Sequence, residues 1–267
     1  MAKVFRMHRL TREIRLNLPV TGPTGQDGSG HAGYPAADGP AVRWGVRVTL
    51  SGMPDVATGY LLDIKAMDDV VRRRLTGLLT DFARSGTTGL PGIARAAYAA
   101  LADGWPGYGV DRVEIVASPQ QSAAVTAGEP TVTRLSHRFE FSAAHRLHVP
   151  GLSDDANRQL FGKCNNAAGH GHNYEVEVTL AGTPDASGRL IGIAELERLV
   201  DEHAINKVDH KHLNHQVPEF ADLNPSVENI AKVIYTWLKP VLRRDHARLK
   251  AVTVWETPKT SCEYAED

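Results

Sequence analysis

Twelve histidines are spread unevenly along the 267 residues, and only His8 and His31 precede His137. The imidazoles gather in the second half, and that clustering points to a metal. His170-Gly171-His172 enters an extended segment, and residues two apart on a strand share a face. Both rings can therefore converge on one ion, with Gly171 permitting close approach. A pair of this kind also fits a solvated loop or satisfied surface histidines. A third ligand is expected from a neighbouring strand, where residues 139–147 offer His145 near their end. The plainer reading of His145 is a ring packed at a strand end. Three nitrogen ligands suit zinc, and a set with no fourth protein ligand leaves a position for water or substrate, as catalytic sites do. By residue type alone Asp209-His210 is an ordinary helix terminus, and His212 and His215 have an equal claim. With only Cys164 and Cys262 in the chain, no disulfide framework is expected.

The elements that must hold these groups come from a repeated pattern. Trp44-Gly45-Val46-Arg47-Val48-Thr49-Leu50-Ser51-Gly52-Met53-Pro54-Asp55 lines up with Tyr174-Glu175-Val176-Glu177-Val178-Thr179-Leu180-Ala181-Gly182-Thr183-Pro184-Asp185. Further on, Arg112-Val113-Glu114-Ile115-Val116-Ala117-Ser118-Pro119 matches Ala251-Val252-Thr253-Val254-Trp255-Glu256-Thr257-Pro258. The chain reads as two copies of one unit, each with two strands, two helices and two strands. In the second copy residues 138–147 and 173–180 are extended, with alternation at Val176, Val178 and Leu180. Residues 193–206 form a helix with Leu196, Leu199 and Val200 on one stripe. A second helix opens at Asn224-Pro225, a cap residue followed by proline, and runs to about Arg244, burying Ile230, Val233, Ile234 and Leu238. Strands return over residues 250–256 and 261–264. The fold class is α+β: tandem modules, each an antiparallel sheet of order β-β-α-α-β-β with two helices packed on one face. The Gly- and Pro-rich residues 21–40 are a long hairpin loop, as are residues 150–169 in the second copy. The linker is placed at residues 119–129, dividing the chain into modules 1–127 and 128–267.

Formal net charge is −1, with basic and acidic residues interspersed. Nothing suggests a nucleic-acid footprint or attraction to an anionic membrane surface, so the expected partners are small molecules. Residues 1–20 mix charges among apolar residues and lack the apolar core of a signal peptide. No run approaches a membrane span. These features read as a soluble, cytoplasmic protein.

Three separated motifs occur in order: Phe141-Ser142-Ala143-Ala144-His145-Arg146-Leu147, Phe161-Gly162-Lys163-Cys164-Asn165-Asn166 and Gly169-His170-Gly171-His172-Asn173-Tyr174. Together they closely resemble the motif set of the 6-pyruvoyl-tetrahydropterin synthases and their bacterial relatives, the 6-carboxytetrahydropterin synthases. The resemblance covers residues 138–264. It implies the T-fold, Zn2+ held by His145, His170 and His172, and 7,8-dihydroneopterin triphosphate as substrate. It also implies that Cys164 is the proton-abstracting base, a role that needs a thiolate favoured by a nearby metal or histidine. Val208-Asp209-His210-Lys211-His212-Leu213-Asn214 resembles the family segment in which an aspartate orients and a histidine shuttles the proton, which assigns Asp209 and His210. Glu256, followed by Thr257, corresponds to the pterin anchor, a carboxylate able to accept two parallel hydrogen bonds from the ring.

Pro225-Ser226-Val227-Glu228-Asn229 departs from the family, because Val227 stands where a threonine usually precedes the glutamate. Ser226 and Glu228 are the binding candidates there. The five-residue gap from Cys164 to His170 resembles the pyruvoyl-forming group; many carboxy-forming relatives, which feed queuosine and other deazapurines, have a shorter one. A noncatalytic zinc or pterin binder is the rival, although it would have no use for an activated thiol. In the first copy Pro40, Val42 and Ala117 replace His170, His172 and Glu256, so that module is expected to be degenerate and structural. Family sites lie between subunits, so the resemblance implies a homo-oligomer with sites near subunit or module interfaces.

Overall fold

The structure is a computed structural model and describes residues 7–19, 33–36 and 40–266. The chain forms two compact units, Met1–Leu135 with Gly182–Leu190, and Ser136–Ala181 with Ile191–Asp267.

In the first unit the order is β1 (His8–Leu18), β2 (Val42–Gly52), α1 (Ile64–Ser85), α2 (Leu90–Leu101), β3 (Gly109–Ser118) and β4 (Gln121–Thr126), followed by the start of β5 (Glu129–His145). Neighbours in the sheet run β1-β2-β3-β4-β5. Antiparallel pairing sets Leu18 opposite Val42 and Val48 opposite Val113. Alternation places Ile14, Leu16, Leu18, Trp44, Val46, Val48, Leu50, Val113 and Ile115 in the core, and α1 packs on β1 while α2 packs on β3 and β4. The opposite face carries a part-exposed ladder of Arg15, Glu13, Arg47 and Glu114, worth little individually near water. The connection between β1 and β2 joins antiparallel partners. Most of residues 21–40, read as a loop, lies outside the described residues, and so does His31.

The placement of a linker at residues 119–129 is corrected. Gln121–Thr126 is a strand whose Val125 pairs with Val113, and Ala123, Ala124 and Val125 are all buried. Three consecutive small apolar residues between polar neighbours lack the alternation that marks a half-exposed strand.

The second unit holds the rest of β5, α3 (Asp154–Phe161), a 3-10 turn Gly162–Asn165 and β6 (His170–Gly182). Then follow α4 (Ile193–Val200), a π turn Asp201–Ile205, α5 (Asn206–Val208), β7 (Lys211–His212), α6 (Leu213–Gln216), α7 (Val227–Val241), β8 (Ala247–Thr257) and β9 (Thr260–Ala265). Sheet neighbours run β5-β6-β8-β9, with β7 parallel to β5. The core contains Val176, Val178, Leu180, Leu196, Leu199, Val200, Ile230, Val233, Ile234 and Leu238, the residues marked by period in the sequence. Beyond the expected elements there is α3, inside the stretch read as a loop. Ser153 caps it, accepting from Ala156 N. The second-module helix also starts later than expected: Ser226, rather than Asn224, is the α7 cap, its hydroxyl facing Asn229 N at 3.4 Å. No helix among the described residues is long and apolar enough to cross a membrane.

Candidate active site

Strand β5 ends at His145, β6 opens at His170, and the pleat places His170 and His172 on one face. The ligand-capable atoms of His145, His170 and His172 all lie within 4.8 Å of one another, the only such metal-capable group among the described residues. His145 is fully buried, and its Nδ1 bonds the Pro225 carbonyl at 2.7 Å. Donation to that carbonyl leaves the Nε2 lone pair facing His170 Nε2 at 3.1 Å. His172 Nε2 is buried with no hydrogen-bond partner. An orphaned buried ring nitrogen costs about 1–3 kcal/mol, and a shared cation would satisfy it. Burial, opposed by the bond to Pro225 and reinforced by the neighbouring rings, sets His145 at about 4, and burial also lowers His170. Neutral imidazoles are the form that binds a metal.

Glu256, near the end of β8, aims Oε1 at the same point, 3.4 Å from His145 Nε2 and 3.8 Å from His172 Nε2. Thr257 is turned to the β8–β9 hairpin, where its hydroxyl accepts from Lys259 N.

Cys164 sits in the 3-10 turn after α3, with its carbonyl accepting from Leu147 N at 2.8 Å. Two residues beyond His145, that bond fixes the thiol-bearing turn beside the end of β5. Asn165, itself buried, adds a bond from Nδ2 to the Leu147 carbonyl. The thiol is free. Its pKa is raised, first by burial and then by the Glu256 charge, and no hydrogen bond joins it to a histidine among the described residues.

Asp209 and His210 meet each other. Asp209 Oδ2 faces His210 Nδ1 at 2.7 Å, and Oδ1 accepts from Ser142 N at 2.9 Å. These two bonds hold the carboxyl below its usual range, the Ser142 amide contributing most. His210 N donates to the Ser142 carbonyl, and the residue takes a φ of 53°, the only non-glycine positive φ among the described residues. Such a conformation costs roughly 1–3 kcal/mol and persists where the surroundings impose it. The His210 side chain is 82 % exposed and makes no hydrogen bond to Cys164 among the described residues. It borders a cavity of about 500 Å³ with Ser142, His172, Asn173 and His212.

Ser226 is taken up as the α7 cap. Glu228 is exposed in the first turn of that helix, and its charge raises the Cys262 thiol after the larger effect of burial. No hydrogen bond joins either residue to the histidine group among the described residues.

Two contributors were not singled out from sequence. Tyr174 is fully buried, stacks on Phe141 at 4.7 Å, and lies 5.6 Å from the His172 ring, with its hydroxyl unpartnered. Asn157 is fully buried and bonds the Val149 amide and carbonyl and the Leu152 and Ser153 carbonyls, pinning the loop ahead of Cys164. The place of Tyr174 at the second position after His172 on a strand could have flagged it; Asn157 carries no sequence signal.

The description "6-pyruvoyl tetrahydropterin synthase" matches residues 134–267. The human 6-pyruvoyl tetrahydrobiopterin synthase is 45 % identical over 116 residues, which are 43 % of this chain and 80 % of that protein. The Drosophila melanogaster protein of the same name is 41 % identical over 134 residues, 50 % of this chain and 79 % of that protein. A solved Caenorhabditis elegans 6-pyruvoyl tetrahydropterin synthase, 38 % identical, aligns with a TM-score of 0.48 over 51 % of this chain and 96 % of that one. On the family match and the human and Drosophila melanogaster relatives, the chain belongs to the 6-pyruvoyl tetrahydropterin synthase family.

Proposed function

We propose that the second unit is a zinc-dependent lyase that converts 7,8-dihydroneopterin triphosphate to 6-pyruvoyl-tetrahydropterin with loss of triphosphate. The observation that carries this reading is the convergence of His145, His170 and His172 with Glu256. Three imidazoles and a buried orphan nitrogen on His172 fit Zn2+, which when bound supplies Lewis-acid polarisation of substrate oxygens.

The remaining work falls to the chain's own groups. Glu256 fixes the pterin, accepting from its exocyclic amine and adjacent ring nitrogen, with Thr257 beside it. Cys164 takes and returns a side-chain proton. No external oxidant or reductant is required. The side chain gives up three hydrogens: two reduce the ring N5=C6 bond and one balances the departing triphosphate. Asp209 holds His210 Nδ1, leaving Nε2 to exchange protons. Because His210 projects to the surface away from any bond with Cys164, we assign the dyad to a site shared with another copy in a homo-oligomer. Ser226 and Glu228 then contribute at the pterin end through helix placement rather than direct contact with the histidines.

The module division at residues 127 and 128 belongs to the same proposal. Both units run β-β-α-α-β-β apart from insertions, which supports a duplication whose first copy lost its site at Pro40, Val42 and Ala117 and became structural.

The test is to incubate zinc-loaded protein with 7,8-dihydroneopterin triphosphate and identify the pterin by mass, with Cys164→Ala as the blank. A 6-pyruvoyl product with free triphosphate is expected. A 6-carboxy product with acetaldehyde would instead assign the deazapurine branch. No turnover, with pterin and zinc binding intact in both proteins, would leave a noncatalytic binder.

A further inference from the structure

Two groups of the site have complementary needs unmet. Tyr174 is fully buried, and its hydroxyl has no hydrogen-bond partner. Its ring is fixed by a stack on Phe141 at 4.7 Å and stands edge-on to the His172 and His145 rings, at 5.6 and 6.2 Å. Among the described residues no hydrogen bond reaches the Glu256 carboxylate either. Its contacts are the same two imidazoles, with Oε1 3.4 Å from His145 Nε2 and 3.8 Å from His172 Nε2. The phenol is a donor without an acceptor, and the carboxylate is an acceptor without a donor.

The two are neighbours across the sheet, where β6 and β8 are adjacent strands. In the matching pair of the first unit, β2 and β3, Gly45 stands opposite Val116. The sequence match carries these onto Glu175 and Trp255, and Arg138 reaches both, at 3.2 Å from Glu175 and 4.5 Å over the Trp255 ring. The same antiparallel register sets Tyr174 opposite Glu256, a relation that brings Cβ atoms to about 4.5–5.5 Å. The phenol also feels that carboxylate: its pKa is raised by burial and then by the charges of Glu256 and Cys164. In the first copy Trp44 and Ala117 hold these places, so phenol and carboxylate are absent together.

So close to two ligand nitrogens, a carboxylate can close on a metal as a fourth protein ligand, which is the arrangement of a structural rather than a catalytic zinc site. Glu256 would then be lost to the pterin. We propose that Tyr174 is a positioning residue: its hydroxyl donates to the Glu256 carboxylate once the histidine nitrogens hold the metal, keeping that carboxylate off the ion and turned to the pterin ring. This role rests on the zinc site and pterin anchor proposed for His145, His170, His172 and Glu256. A phenylalanine would make the same stack without burying an unpaired hydroxyl, which costs stability.

Tyr174→Phe in the full-length protein tests this, since it removes the hydroxyl and keeps the ring, and none of the three readouts is turnover. Without metal the variant is expected to melt no lower than wild type, because the hydroxyl holds no bond there. Zinc-loaded, it is expected to give up its ion to a chelator roughly tenfold more slowly, the scale on which outer groups tune metal sites, because the released carboxylate closes on the metal. Neopterin, which has the ring and side chain but no triphosphate to lose, is expected to bind the variant more weakly by a similar factor in fluorescence titration. A lower melting temperature without metal, or zinc loss or neopterin binding equal to wild type, would overturn the role of Tyr174. A wild-type protein that retains neither zinc nor neopterin would instead remove the site on which that role rests.

Discussion

At the scale of single residues, His145 owes its role to two neighbours far away in sequence, the Pro225 carbonyl that fixes its tautomer and Glu256 opposite its Nε2. His172→Ala is expected to lower bound zinc by at least tenfold, read by elemental analysis after dialysis, while Cys164→Ala retains the metal and loses turnover. The buried His145 also has a signature in the metal-free protein. Its folded value of about 4 lies below the ordinary 6.5 because burial disfavours the charged ring. Between those values the unfolded chain binds a proton that the folded one does not, so stability rises with pH across that window. The contribution is complete above about 6.5 and is lost as pH falls towards 4. In urea unfolding of metal-free protein, wild type is expected to lose on the order of 2 kcal/mol more than His145→Gln between pH 7 and pH 5.

Among the elements, the approach to β6 leaves no room for a side chain. Gly169 has a φ of 75°, and a Cβ there would meet His212 Nε2 at 2.6 Å and His145 O at 3.0 Å. Gly169→Ala is therefore expected to displace His170 and cut kcat/KM at least tenfold, with weaker zinc retention as a second readout. The loop ahead of Cys164 depends on Asn157 in the same way. Removing a fully buried amide with four backbone partners is expected to cost roughly 2–3 kcal/mol in denaturant unfolding. Faster alkylation of Cys164 in Asn157→Ala would show that the freed segment is the one carrying the thiol. The π turn Asp201–Ile205 and the positive φ of His210 lie within ten residues of each other, and local departures of both kinds concentrate at functional sites.

For the whole molecule, the loop Gly182–Leu190 decides how far the second half can stand alone. A fragment of residues 128–267 leaves that loop without α2, and we expect it to unfold at lower denaturant and assemble less well than the full chain. Equal activity and assembly would refute a structural role for the first unit. Gly92→Val makes the same point inside the intact chain: a side chain there collides with Gly188, so a fall in melting temperature is expected.

Much of the protein was legible without coordinates. Alternation and helical period marked the core of β6, α4 and α7, because burying one face of a strand or helix imposes a period on the residues themselves. The histidine cluster was also signalled, since His170 and His172 are two apart on a strand and His145 ends its neighbour. The strand Gln121–Thr126 was not, because its consecutive buried Ala123, Ala124 and Val125 lack alternation, and the helix Asp154–Phe161 was missed although Ser153 and the acidic first turn of Asp154 and Asp155 mark its start. Long-range approach decided the rest: the Pro225 carbonyl on His145, the Glu256 carboxylate beside the histidines, and the loop Gly182–Leu190 seated on α2. The sequence alone determined which residues share a face, because that follows from local periodicity. Only the tertiary structure decided which charges and backbone groups face them, because those partners are set by how distant segments pack.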